Sequence, residues 1–132
     1  MQRRALLAMV GGSFLGMAGC MSPYDEPAEP MLDAISVRNR HSERQEIDVI
    51  VVESEETRFS ETYTVEPGSE ISEKSPVDSS GRYLVRAVTT DGEQEIDTTE
   101  HADGDELCVI VRFEIGSSGG FNPPSINSYQ DC

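Results

Sequence analysis

Three cysteines, two histidines and a surplus of carboxylates are the side chains of this 132-residue chain that could do chemistry. Cys20, Cys108 and Cys132 are too far apart for a C-x-x-C redox or zinc motif, and no histidine lies at ligand spacing from any of them. His41 falls in the polar stretch His41 to Arg44, and His101 in the acidic stretch Thr99 to Asp105. Neither has a partner at catalytic or metal-binding spacing, so both read as solvated loop residues. Asp103, Asp105 and Glu106 around Gly104 make an oxygen-rich turn, without the carboxylate order of an EF-hand calcium loop. Serines are plentiful, but none sits in a G-x-S-x-G or S-x-x-K context, and there is no glycine-rich phosphate loop. The expectation is a non-enzymatic chain with no catalytic residue, no metal site and no cofactor.

The first twenty residues are more specific. Arg3-Arg4 precede an apolar stretch from Ala5 to Met17, broken by Gly11, Gly12 and Gly16, and Ala18-Gly19-Cys20 follow. A positive start, a short apolar run and small residues before a cut site mark a secretory signal, whereas a bilayer span needs roughly 20 apolar residues. This order resembles a twin-arginine export signal fused to a lipobox, with Leu6-Leu7 as the apolar pair and Gly19-Cys20 as the lipobox end. Met17 stands where leucine is usual, and the lysine common after the apolar pair is missing. The resemblance implies that Arg3 and Arg4 direct export and that Cys20 becomes the lipidated N-terminus, holding the protein on the outer face of the cell membrane. Each buried methylene of the lipid adds about 0.8 kcal/mol, and two chains anchor stably.

Charge sets the next constraint. The chain has 25 acidic and 10 basic residues, and loss of Arg3 and Arg4 with the signal leaves 8 against 25, a net charge of −17. Lys74 is the single lysine. The carboxylates are spread from Asp25 to Asp131, which fits a solvated surface better than a focused cation or basic-partner site. Nucleic acid is excluded as a partner, because the phosphate backbone requires a Lys/Arg surface. Such an acidic, lysine-poor surface is similar to that of proteins from extreme halophiles, where molar salt cuts the screening length to about 3 Å.

The residues divide into a signal at 1–19, a flexible acidic and proline-rich tether at 20–30, and one folded domain at 31–132. The domain is expected to be all-β. Short runs rich in Val, Ile, Thr, Tyr and Phe predict strands at Ala34 to Arg38, Glu46 to Glu53, Arg58 to Val65, Arg82 to Thr89, Glu93 to Thr98 and Glu106 to Ile115, with a shorter one near Glu70 to Glu73. Leu107, Val109, Val111, Phe113 and Ile115 fall on one face and Ile110, Arg112 and Glu114 on the other, the mark of a half-buried strand. Ile47, Val49 and Val51 form one apolar row and Ile50 and Val52 another, which places that strand centrally. Pro67-Gly68 and Asp91-Gly92 predict turns, the second a hairpin tip over Thr90 to Glu93. About seven strands at this spacing suggest an antiparallel β-sandwich.

Asp78 to Val85 resembles the segment entering a late strand of immunoglobulin-like domains, where a tyrosine, here Tyr83, closes a corner by bonding back to the backbone. Val85 replaces the cysteine of antibody domains and there is no tryptophan, so the resemblance implies a sandwich without their intersheet disulfide. If Cys20 is lipidated, Cys108 and Cys132 remain as a pair that an oxidising compartment would join, stapling the tail across the outside of a sheet; the alternative is two free thiols. Signal, charge and strand pattern together are similar to the small exported lipoproteins of halophilic archaea that carry one β-sandwich domain. The expected role is a membrane-anchored surface domain that contacts another envelope protein. The alternative is a solute- or cation-binding accessory of a membrane transporter. An aromatic-lined pocket would favour solute binding, and a flat sheet face a protein partner.

Overall fold

The computed structural model describes residues 29–100, 108–130 and 132. The expected signal, nearly all of the tether and the acidic turn at 101–107 lie outside the described residues. Eight strands follow in order: β1 (Met31–Asn39), β2 (Gln45–Glu53), β3 (Glu56–Val65), β4 (Glu70–Lys74), β5 (Leu84–Thr89), β6 (Gly92–Asp97), β7 (Cys108–Ile115) and β8 (Ser125–Tyr129). Two four-stranded sheets result, one in the order β4-β1-β7-β8 and the other β3-β2-β5-β6. The inward rows of both meet in one core. Leu32, Ile35, Val37, Val109, Val111, Phe113 and Ile115 come from the first sheet, and Ile47, Val49, Val51, Val65, Val85, Ala87 and Ile96 from the second. Alternation at period two drives this arrangement, since it gives each strand one face that must leave water.

The β-sandwich is as expected, and β2 is central, flanked by β3 and β5. Three features differ from the sequence reading. The β1–β7 pair is parallel within otherwise antiparallel sheets, a long-range pairing that local periodicity does not encode. Asp33 is an extra residue in that ladder, because Leu32 pairs Val109 and Ala34 pairs Ile110. The bulge re-phases the strand, so that Leu32 points inward before it and Ile35, Val37 and Asn39 after it. Last, the segment after Gly116 does not cross the outside of a sheet as expected. It turns at Gly119 (φ 98°), sets Phe121 edge-on to Phe113 at 6.4 Å, and returns beside β7 as the edge strand β8. The run Ser-Ile-Asn-Ser-Tyr has one aliphatic residue, too little for a strand signal without the partner it pairs with.

The turns show the same division. Pro67-Gly68 closes as expected, with Gly68 at φ 77° and Ser69 N donating to Glu66 O at 3.0 Å. The Asp91-Gly92 hairpin forms one residue early: Thr89 pairs Gly92, the loop is Thr90-Asp91, and Thr89 Oγ1 accepts from Asp91 N at 3.2 Å. The hairpin with two left-handed residues is instead Ser54-Glu55 (φ 49° and 70°), which joins β2 to β3 without a glycine.

Candidate interaction surface

Tyr83 is buried and its hydroxyl donates to Ser79 O at 2.6 Å, the corner bond that the sequence resemblance implied. Thr98 completes the corner: Tyr83 N donates to Thr98 Oγ1 at 3.2 Å and Thr98 N to Tyr83 O at 2.9 Å. Gly81 packs tightly there: a Cβ would lie 3.1 Å from the Tyr83 ring and 2.5 Å from Glu53 Oε2, so that both would have to shift. Glu53 is in turn held by Arg58, at 2.9 Å from Nε and 2.8 Å from Nη2. This knot fixes the start of β5 against the β2–β3 hairpin.

With β5 so placed, the outer face of the β3–β2–β5–β6 sheet takes its form from the register. Ile50 lies opposite Arg86 and Ser60, Val52 opposite Leu84 and Thr57, and Val88 opposite Asp48 and Glu93. Residues directly opposite share a face, so Ile50, Val52, Leu84 and Val88 form one apolar strip. No other layer covers it among the described residues, and Leu84 is 37% exposed. Arg86 lies among them, bonded to Glu95 at 3.0 Å and Glu93 at 3.3 Å. Those bonds raise its pKa, first by hydrogen bonding and then by charge attraction, so the guanidinium stays protonated. The arrangement is an apolar strip framed by the carboxylates of Asp48, Glu93 and Glu95. In the sequence Ile50 and Val52 mark only a central strand, and Leu84 and Val88 are not singled out. The signal was available in the outward apolar positions flanking Val85 and Ala87.

The residues singled out from the sequence are dispersed. Arg3, Arg4 and Cys20 lie outside the described residues, as do His101, Asp103, Asp105 and Glu106. His41 has a structural place: Nδ1 accepts from Glu43 N at 3.1 Å, in a loop pinned by buried Asn39, which donates to Glu43 O and Val65 O at 2.9 Å. Cys108 and Cys132 are joined in a disulfide with Cα atoms 5.6 Å apart. Among the described residues, no group of three or more His, Cys, Asp or Glu is placed to hold a metal.

Comparison with known proteins gives the family. No curated protein matches the chain. An NMR structure of a protein from Eubacterium rectale is similar over 76% of this chain and 91% of that one, at 14% identity and a TM-score of 0.38, too low to bear on the argument. The model of the halobacterial Ig-like domain matches residues 43–121, from the end of the β1–β2 loop to Phe121, and takes in the Tyr83 corner and the whole of the β3–β2–β5–β6 sheet. By its match over more than half its length, this chain belongs to the halobacterial Ig-like domain family.

Proposed function

We propose that this chain is an exported surface lipoprotein, held in the membrane through lipid on Cys20, whose immunoglobulin-like domain binds another envelope protein. The observation that carries the binding role is the apolar strip of Ile50, Val52, Leu84 and Val88 on an otherwise acidic face. In molar salt, charge attraction between exposed groups is screened, so apolar contact is the interaction that survives to hold a partner. Four surface cavities, of about 300 to 570 Å³, are lined mainly by polar and charged side chains and carry at most one aromatic ring each, which favours the sheet face over a solute pocket. The anchor and export route rest on Gly19-Cys20 and Arg3-Arg4.

A photo-crosslinker at position 84 in intact cells tests the partner. A discrete product that disappears when Val88→Glu is added, and that a crosslinker at position 72 on the opposite sheet does not give, supports the reading; equal, diffuse labelling from both positions rejects it. Separately, Cys20→Ser should release the domain or leave an unprocessed precursor, and normal processing with detergent-dependent retention would exclude the anchor.

A further inference from the structure

The outer face of the β4–β1–β7–β8 sheet carries a site of another kind. Beyond the Asp33 bulge, Ser36 and Arg38 of β1 point outward. The registers set Ser36 beside Arg112 of β7 and Ser72 of β4, and place Lys74 opposite Ala34. Ser36 is only 6% exposed, yet its Oγ has no hydrogen-bond partner. A buried hydroxyl left without a bond costs free energy, so such a group in a native fold calls for an explanation. Ser36 lines two adjoining cavities, of about 300 and 500 Å³, which also share Glu70 and Arg112.

The pairing of charges points the same way. Arg40, Arg44, Arg58 and Arg86 each lie within 3.3 Å of a carboxylate. Arg38, Arg82, Arg112 and Lys74 have no ion pair among the described residues, although the chain holds 25 carboxylates, and all of these but Arg82 line the two cavities. Of the carboxylates lining the two cavities, Glu114 is engaged by Arg40 at 2.9 Å and Asn122 at 2.7 Å, and Asp33 by the Tyr129 hydroxyl. Glu70 is the one without a hydrogen bond or ion pair. The lining thus carries three cations and three carboxylates; Glu70 and Glu114 lie beside Arg38, whereas Arg112 has Ser36 and Ser125 as its cross-strand neighbours and no carboxylate opposite it.

We propose that this groove binds a tetrahedral oxyanion, sulfate or phosphate, free or as a monoester, through Ser36 Oγ and the guanidinium groups of Arg38 and Arg112. A planar carboxylate is satisfied by a single guanidinium fork. Two guanidiniums diagonal across neighbouring strands with a hydroxyl between them present donors from three directions, which matches an acceptor carrying three or four oxygens and up to two charges. Such an anion supplies the bond Ser36 lacks and offsets the repulsion between the two arginines. Ser72, Ser75 and Ser125 extend the groove with hydroxyl groups suited to the alcohol part of an ester.

The test is NMR titration of the full chain in molar KCl at constant ionic strength, with sodium sulfate, glucose 6-sulfate and glucose as probes. The expected result is saturable shifts at residues 36, 38 and 112 with the two sulfates and none with glucose. Arg112→Gln and Arg38→Gln should each weaken binding about tenfold, the loss expected for one charged hydrogen bond. Arg82→Gln, an exposed arginine outside the groove, should change nothing. Ser36→Ala should weaken binding without lowering the melting temperature, because it removes an unsatisfied hydroxyl rather than a contact. Tighter binding of glucose 6-sulfate than of sulfate identifies an ester ligand, and equal or weaker binding the free ion. Shifts that grow linearly, as with added chloride, or affinity unchanged in all three groove variants, would overturn the proposal.

Discussion

At the scale of single residues, the Tyr83 corner joins a buried ring, three hydrogen bonds and a close glycine at one point. Gly81→Ala would push a methyl into the Tyr83 ring and displace Glu53 from Arg58, and is expected to cost about 1–3 kcal/mol. Gly92→Ala, with nothing within 4 Å of the added atom, should stay within about 0.5 kcal/mol of the parent. Chemical denaturation of the pair checks this, and equal losses would mean that the corner is not the cause. Two other tyrosines link carboxylates. Burial, then the bond donated to Glu73, raises the pKa of Tyr63 far above its ordinary value, and the bond to Asp33 raises that of Tyr129. A raised pKa means the folded state holds the phenol proton more tightly than the unfolded chain does. The stabilisation is therefore complete below the unfolded value of about 10 and is lost as pH rises above it. Melting temperature should fall in that alkaline window, and less steeply in Tyr63→Phe.

Among the elements, β8 depends most on its surroundings. It is an edge strand of five residues, paired only with β7, and its aliphatic anchor is Ile126. The Cys108–Cys132 disulfide, 24 residues apart in sequence, closes the β7–β8 unit at the end opposite the Gly116–Gly120 turn. In the chain-entropy model a loop of that size is worth roughly 3 kcal/mol. Cys132→Ser should cost most of that and speed amide exchange along β8 before any other strand. If exchange accelerated uniformly, β8 would be part of the global folding unit rather than a stapled addition. The family match ends at Phe121, before this strand, and begins after β1, so β1 and β8 of the β4–β1–β7–β8 sheet lie outside the matched residues.

For the molecule as a whole, charge sets the conditions under which it folds. A core of ordinary size gives a net stability of about 5–15 kcal/mol, and unscreened repulsion among 25 carboxylates acts against that margin. Glu93 and Glu95 share one outward face of β6, and Arg86 is the cation that joins them. Molar KCl should therefore raise the melting temperature steeply over dilute buffer, by about 4–8 °C for each kcal/mol recovered. Micromolar calcium should give no comparable gain. Insensitivity to KCl with a sharp response to calcium would instead assign a specific cation role to the acids around Gly104.

The sequence by itself determined the sandwich, six of its strands with a shorter seventh near Glu70 to Glu73, the inward rows of β2, β5 and β7 and the tyrosine corner, because alternation at period two and a local corner motif are written within a few consecutive residues. Its hydrophobic pattern also marked β2 as central. Only the tertiary structure decided that β1 and β7 run parallel, that Asp33 bulges, and that β8 exists, since each depends on a partner strand distant in the chain. Both candidate surfaces are of that second kind. Leu84 joins Ile50 and Val88 only once β5 is in register with β2, and Ser36 meets Arg112 only across the β1–β7 ladder, so side chains from separate strands become neighbours through pairing that no local pattern contains.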